Sequence, residues 1–253
     1  MSNVDSRVNH IYTPSGQRQL LLTILTAGVV LPVLFAEYLS PVIVLSPIVV
    51  IGGTLLVRRG LPKAIPTWIT FNCVSFFIII YAAYTIGTTL PVHLLVLFLL
   101  GLLVYDIVGV ETGKMQEMNQ TMLLSGIPIV LLLPHSPDFS YDSFRDIIRE
   151  DGLEGLHGSA HGVTMLGIGD AILPAALGVG AGVVGAAHHF GPVTITAVQS
   201  LAALGGVLGL AALIWADLPR PIAALTVSVP GALLGFVAGL LVDPTATLSW
   251  LPV

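Results

Sequence analysis

Seven apolar runs, each of about the length that crosses a bilayer, constrain the fold of this 253-residue chain more than any other feature. A membrane-spanning helix needs about 20 consecutive apolar residues, because the hydrocarbon core holds no water to hydrogen-bond exposed backbone groups. Only 9% of the residues are charged, against roughly 25% in an ordinary soluble domain. The sequence therefore predicts an all-α fold, a polytopic transmembrane helix bundle that forms a single domain over residues 1–253. The predicted spans are 20–39, 41–57, 65–88, 91–111, 162–187, 192–215 and 221–242.

The distribution of basic residues predicts the orientation of these spans. All nine Lys and Arg precede the first span or lie in loops that the alternation of spans places on that same side. Because basic residues concentrate on the cytoplasmic side, we predict a cytoplasmic N-terminus and an external C-terminus. The segment 112–160 then forms a cytoplasmic loop between the fourth and fifth spans. Within it the apolar run 122–134 is too short to span, so we expect it to lie at the membrane surface or to dock on the bundle.

Two aspartates, Asp106 and Asp170, interrupt the fourth and fifth apolar runs. A carboxylate near the middle of a membrane costs roughly 2.5 kcal/mol or more, so an intramembrane Asp marks a candidate functional site. At 1.5 Å per residue, Asp106 lies roughly 7 Å and Asp170 roughly 13 Å from the same cytoplasmic edge. At these similar depths each is the best partner for the other. Two carboxyls in one dry site cannot both ionise, which leaves an acid and a base able to activate a water against a peptide carbonyl.

Three short motifs carry a family resemblance. Tyr105-Asp106 lies on the fourth span, Gly167-Ile168-Gly169-Asp170 on the fifth, and Pro230-Gly231-Ala232-Leu233 on the last. Over roughly residues 91–242 the chain resembles the presenilin and signal peptide peptidase family of intramembrane aspartyl proteases, and most of all its archaeal presenilin homologues. That family carries Tyr-Asp, Gly-x-Gly-Asp and Pro-Ala-Leu on successive parts of its fold, whereas here a glycine separates the proline from Ala-Leu. The family has nine spans with the first Asp on the sixth, against seven here with the first Asp on the fourth.

The resemblance implies a function and a set of site residues. It implies an intramembrane aspartic endopeptidase that cleaves transmembrane helices of membrane proteins or signal-peptide remnants. Its partners would be transmembrane protein substrates and the lipid bilayer of the cell membrane, in which the chain would be multi-pass; the motifs carry no information on accessory subunits. A substrate helix hides its carbonyls, so we expect it to unwind locally by pairing with a strand from the loop at 135–163. The implied catalytic pair is Asp106 and Asp170, with active-site support from Tyr105, Gly167, Ile168, Gly169, Pro230, Gly231, Ala232 and Leu233.

Several alternatives stay open at this point. Gly-x-Gly-Asp also occurs in type IV prepilin peptidases, although their first Asp has different neighbours from those of Asp106. An ion- or proton-coupled transporter or channel would also use intramembrane aspartates, and a carboxyl separation beyond about 8 Å would favour it. Each Asp could instead be structural, bonded to a hydroxyl or reaching to water, and Tyr105 fits an aromatic residue of the membrane interface equally well.

The remaining residues narrow the function class and predict how the helices pack. There is no basic stripe for nucleic acid, Cys73 is the sole cysteine, and the seven histidines lack a metal-ligand pattern such as His-Glu-x-x-His. We therefore expect no metal and no cofactor. Pro230 predicts a kink or a local opening in the last span. Glycines at helical spacing predict close helix packing at Gly178, Gly182, Gly205, Gly209, Gly231, Gly235 and Gly239.

Overall fold

The computed structural model describes residues 13–36, 38–39, 46–59, 67–112, 114–136, 139–152, 163–216 and 225–246. The chain is mostly helical, in agreement with the predicted polytopic bundle. Five of the helices in this part of the chain are long and apolar enough to cross a membrane: α1 (Pro14–Leu34), α3 (Thr67–Thr89), α4 (Val92–Glu111), α8 (Ala197–Trp215) and α9 (Leu225–Val242). In chain order the helices are α1 Pro14–Leu34, α2 Ser46–Arg59, α3 Thr67–Thr89, α4 Val92–Glu111, α5 Lys114–Leu124, α6 Tyr141–Asp151, α7 Gly169–Gly180, α8 Ala197–Trp215 and α9 Leu225–Val242.

Four short strands accompany the helices, and the all-α prediction did not include them. β1 (Val130–Pro134) pairs antiparallel with β2 (Val163–Gly167), and β3 (Ala187–Phe190) pairs antiparallel with β4 (Val193–Thr196). The run 162–187, predicted as one span, is therefore divided: β2 occupies its beginning, and α7 is only 12 residues long. Periodicity alone does not distinguish a short apolar strand from a buried helical segment, which is why the sequence did not predict this break.

The second predicted span, 41–57, is described only from residue 46 onward. There α2 runs for 14 residues, which is shorter than a bilayer-spanning helix. Its Gly53 lies against Val74 of α3, and Ile48 and Ile51 are exposed on its outer face. Residues 41–45 of this prediction lie outside the described residues.

Helix α7 lies at the centre of the bundle. Every residue from Asp170 to Gly180 is buried, and α7 contacts α1, α3, α4, α8 and α9. Small residues allow this close approach: a Cβ atom added to Gly87 of α3 would lie 2.6 Å from the carbonyl oxygen of Ala176. Asp170, in the first turn of α7, is thereby held inside the protein.

Helices α8 and α9 are antiparallel and pack backbone against backbone. A Cβ atom on Gly209 would lie 2.6 Å from the carbonyl oxygen of Val227, and one on Gly239 would lie 2.5 Å from Cα of Val198. Side chains at these positions would force the helices apart, so the predicted packing role of these glycines is confirmed. Gly205, Gly231 and Gly235 are enclosed by backbone atoms of the facing helix in the same way.

Strand β1 is buried along its whole length and docks on α3 and α1. Asn72 of α3 brackets Leu132, donating to its carbonyl at 2.6 Å and accepting from its N–H at 2.7 Å. The run 122–134, expected to lie at the surface or to dock on the bundle, therefore ends in a docked strand. Two more side chains bond this edge of β1: Ser75 donates to the Val130 carbonyl at 2.9 Å, and Gln17 donates to the Pro134 carbonyl at 2.7 Å.

Helices α5 and α6 cover β1 with a second apolar cluster. Phe144 and Ile148 of α6 are fully buried, and Arg145 donates to the Leu124 carbonyl at 2.9 Å, which ties α6 to α5. Burial also raises the pKa of Tyr141 to about 12, so its phenol stays protonated at neutral pH. The segment between α4 and β2 thus contributes a packed layer rather than an open loop over its described residues.

Replacing Gly235 with alanine should destabilise the protein, because the added methyl group would overlap the backbone of α8. Overpacking of this kind costs roughly 1–3 kcal/mol, so we expect a lower melting temperature in detergent micelles. Gly101 of α4 provides the matched control, since a Cβ there meets no atom within 4 Å among the described residues. Equal melting temperatures for the Gly235→Ala and Gly101→Ala proteins would contradict the packing role.

Candidate active site

Asp106 lies on the inward face of α4. It is 6% exposed, whereas its neighbour Tyr105 is 60% exposed. The first turn of α9 meets this face, and the backbone N–H of Leu225 donates a hydrogen bond to the Asp106 carboxyl. The first N–H groups of a helix lack intrahelical acceptors and carry partial positive charge, so they suit a carboxylate. The Oδ2 atom of Asp106 is buried and has no hydrogen-bond partner within the described part of the chain.

Asp170 is positioned by the junction between β2 and α7. Three residues after the last residue of β2, it stands in the first turn of α7, again near free helical N–H groups. The N–H of Ile168 donates to the Ile129 carbonyl at 3.0 Å, which ties this junction to the residue before β1. Asp170 is 8% exposed, so the junction places a carboxyl in the interior.

The two carboxyls meet where α4, α7 and α9 converge. Helix α4 contacts both α7 and α9, and Asp106 and Asp170 are near enough to interact electrostatically. The structure thus brings together the two aspartates that the sequence pairs by depth. Because ionising one buried carboxyl disfavours ionisation of a second one nearby, such an arrangement can present one proton donor and one proton acceptor at the same pH.

The glycines of the Gly167-Ile168-Gly169 stretch differ in their surroundings. A Cβ atom on Gly167 would lie 3.2 Å from Oδ2 of Asp170, so this position is tightly packed against the carboxyl. A Cβ on Gly169 meets no atom within 4 Å among the described residues. Ile168 is buried and belongs to the main apolar cluster. Gly167 is therefore packed against the Asp170 carboxyl, whereas a side chain at Gly169 would enter open space among the described residues.

The other predicted support residues lie elsewhere. Tyr105 faces outward, as an interfacial aromatic would. On α9, Gly231 packs against the backbone of Gly205, and Ala232 lies beside Gly206. Pro230 and Leu233 are half-buried within the helix. Helix α9 contacts Asp106 through Leu225, which lies five residues, or about 7.5 Å along the helix axis, before Pro230. The structure therefore does not place the Pro230–Leu233 stretch at that contact.

Leu225 is the site residue that the sequence analysis missed. Its contribution is a backbone N–H, which every residue except proline carries, so no side-chain pattern marks it. Its position gave no signal either, because Leu225 is the fifth residue of the last predicted span, 221–242, and only the first four N–H groups of a helix are free. Among the described residues, no three His, Cys, Asp or Glu side chains are grouped as metal ligands would be.

Comparison with known proteins adds one finding. The family model described as "Signal-peptide peptidase, presenilin aspartyl protease" matches residues 16–244. Neither the search of curated proteins nor that of solved structures returned a significant match. The family match covers both carboxyls and all of the described elements that position them.

Proposed function

The chain belongs to the signal-peptide peptidase and presenilin family of aspartyl proteases, and from this premise we propose that Asp106 and Asp170 are its catalytic pair. Membership makes the chain an intramembrane aspartic protease, and it does not favour the prepilin-peptidase or transporter alternatives. The observation that carries the assignment is the meeting of two buried carboxyls from α4 and α7. Family membership establishes the activity, and this geometry supports our assignment of the two residues that carry it out.

Peptide-bond hydrolysis needs one carboxylate and one carboxylic acid. The ionised member of the pair takes a proton from water while the water oxygen bonds to the scissile carbonyl carbon. The protonated member hydrogen-bonds the carbonyl oxygen as charge develops on it. The C–N bond then breaks, and the amine leaves with a proton, so water and one amide become one acid and one amine. The Leu225 N–H stabilises Asp106 when that residue carries the negative charge.

The membrane arrangement follows from the basic residues. The N-terminus is cytoplasmic, the C-terminus is external, and segment 112–160 connects the fourth and fifth spans of a single transmembrane domain on the cytoplasmic side. The five long apolar helices account for five of the seven proposed spans, and α2 and α7 belong to the other two. The carboxyl pair then lies within the inner leaflet of the cell membrane, near cytoplasmic water.

The substrate is a transmembrane helix that unwinds and adds a strand to β2. The outer edge of β1 is occupied, because Asn72, Ser75 and Gln17 bond its outward N–H and C=O groups. Within the described residues, β2 pairs with β1 alone, so its other edge is open. An extended segment on that edge would run beside the strand that leads directly into Asp170, with its carbonyls exposed.

The register of the two strands shows which β2 groups face outward. Leu132, whose N–H and C=O both point to Asn72, stands opposite Met165. Residues directly opposite in an antiparallel pair point their backbone groups either toward each other or both away. Because Leu132 points away from β2, Met165 points its N–H and C=O away from β1, toward the open edge.

Replacing Asp106 or Asp170 with asparagine should abolish cleavage of a membrane-embedded reporter peptide, with a loss above about a thousandfold, because an amide cannot exchange the proton. Melting temperatures should not fall, since the amide keeps the shape and removes a buried charge. Asp146→Asn is the control, because Asp146 is exposed and its ion pair with Arg149 is 3.5 Å long and exposed on both sides. Cleavage that persists in both Asp106→Asn and Asp170→Asn would contradict the assignment.

Replacing Leu225 with proline should lower the cleavage rate at least about tenfold below that of the Leu225→Ala protein. Both variants lose the leucine side chain, but only proline removes the N–H that bonds Asp106, and the first turn of a helix tolerates proline. Comparing kcat of the two purified proteins isolates the hydrogen bond. Equal values of kcat would show that this N–H has no role in the reaction.

Replacing Met165 with proline should weaken substrate binding, because it removes an outward N–H without removing a bond to β1. We expect KM for a transmembrane peptide to rise about tenfold relative to the Met165→Ala protein, while the melting temperature changes little. An unchanged KM in the Met165→Pro protein would rule out strand addition at this edge.

A further inference from the structure

Helix α9 buries a hydroxyl group inside the bundle. Ser228 lies on α9, three residues after Leu225, and is 0% exposed. Its Oγ atom has no hydrogen-bond partner in the part of the chain that the structure describes. A buried hydroxyl without a partner is unfavourable, and most buried hydroxyls are bonded. Ser75 and Ser200 illustrate the usual case: Ser75 donates to the Phe71 carbonyl of its own helix, and Ser200 donates to the carbonyl of Thr196, which caps its helix.

Contacts with α8 show which residues of α7 and α9 lie at the same level, that is, at the same height along the axis of the bundle. A Cβ atom on Gly206 of α8 would lie 2.5 Å from Cβ of Pro174 on α7 and 3.6 Å from Cβ of Ala232 on α9. Pro174 and Ala232 are therefore at one level. One turn further along α8, a Cβ on Gly209 would lie 3.0 Å from Cα of Ser228. The next level thus contains Ser228 on the α9 side.

The same register places Asp170 at the level of Ser228. Helices α7 and α9 both run antiparallel to α8, so they run parallel to each other. Asp170 is four residues before Pro174, and Ser228 is four residues before Ala232. Because residues four apart share one face of a helix, the Asp170 carboxyl and the Ser228 hydroxyl lie on matching turns of neighbouring helices.

Asp106 approaches the level of Asp170 and Ser228 from α4, the third helix of the site. Its carboxyl accepts from Leu225, which lies about 4.5 Å along the axis of α9 from Ser228. Leu225 and Ser228 are both buried and three residues apart, so they share a helix face. Oδ2 of Asp106 is, like Oγ of Ser228, buried without a partner among the described residues. Three oxygen-bearing side chains from α4, α7 and α9 therefore converge.

We propose that Ser228 is a positioning residue whose hydroxyl hydrogen-bonds the hydrolytic water on the deep side of the two carboxyls. The proposal rests on the proposed function of Asp106 and Asp170. A buried water makes about three hydrogen bonds, of which the carboxyls provide two and Ser228 the third. A serine hydroxyl both donates and accepts, so it holds the water oxygen and leaves one water proton directed at the ionised carboxylate. The neighbouring buried residues of α9, Val229 and Ala232, have no side-chain group that does this.

The test replaces Ser228 with alanine and, separately, with cysteine. Alanine removes the hydroxyl, and cysteine keeps the side-chain volume with only a weak hydrogen-bonding group. We expect kcat to fall about tenfold to a hundredfold in both proteins, as for the loss of one hydrogen bond that orients a reacting group. KM should stay within about twofold, because binding of the substrate helix is not affected. Melting temperatures should change little, because the Ser228 hydroxyl makes no hydrogen bond to another described residue.

Ser200→Ala is the matched control, because Ser200 lies on α8, is bonded to the Thr196 carbonyl at 2.9 Å, and is near the opposite end of the bundle. It should keep the kcat of the unmodified protein. A wild-type kcat in Ser228→Ala would overturn the proposal. A wild-type kcat in Ser228→Cys alone would also overturn it, because side-chain volume rather than hydrogen bonding would then be the role of Ser228.

A binding measurement separates positioning from packing. A peptide inhibitor with a hydroxyl on its tetrahedral carbon places that hydroxyl where the hydrolytic water stands, and its deoxy counterpart lacks the group. In the unmodified protein the hydroxyl inhibitor should bind more tightly, and this ratio should shrink about tenfold in Ser228→Ala. Equal weakening of both inhibitors would indicate a packing defect and overturn the proposal.

The two carboxyl variants distinguish failure of this proposal from failure of the proposed function. If Asp106→Asn and Asp170→Asn are inactive while Ser228→Ala retains full kcat, the Ser228 proposal fails and the catalytic pair stands. If the asparagine variants retain activity, the proposed function fails, and the role of Ser228 fails with it.

Discussion

The cost of placing carboxyls in an apolar interior is the constraint on which the rest of the structure depends. Both carboxyls are placed at helix starts: Asp170 in the first turn of α7, and Asp106 opposite the first turn of α9. Helix starts supply free N–H groups and partial positive charge. One unbroken helix across residues 163–180 would have put Asp170 in a helix interior, where no backbone N–H is free. The change from strand β2 to helix α7 therefore places the Asp170 carboxyl in a first helical turn, where free N–H groups are available.

The position of α9 depends in turn on its glycine contacts with α8. Leu225 reaches Asp106, and Ser228 reaches the level of Asp170, only if α9 lies at one height and one distance from its neighbours. The enclosed glycines hold that position, because bulkier residues at Gly205, Gly209 or Gly235 would separate the helices. Helix association in lipid depends on such close packing, since lipid tails are as apolar as the side chains. A sequence pattern of small residues therefore determines site geometry through packing.

Features that follow from the lengths and spacing of the apolar runs could be predicted from the sequence. Features that depend on backbone N–H and C=O groups could not. The 1.5 Å rise per residue and the alternation of basic loops were enough to pair Asp106 with Asp170 from the sequence alone. Glycine spacing likewise predicted the α8–α9 contact. Strand β1 was missed because five apolar residues between prolines carry no helical or strand periodicity. Leu225 was missed because a backbone N–H does not depend on the residue type. For the same reason, the sequence indicated active-site support on α9 only near Pro230.

Among the described residues, the two-stranded sheet beside Asp170 has one edge bonded by side chains and one edge that pairs with no strand, which limits how the sheet can grow. Side chains of α1 and α3 occupy the β1 border, so the sheet grows in one direction only. One added strand would occupy the free edge of β2. A further chain could then pair only with the outer edge of that added strand. Recruitment by this route is therefore limited to one guest per molecule. Copies of the protein cannot stack through it into a fibre, because propagation needs two vacant borders on every unit.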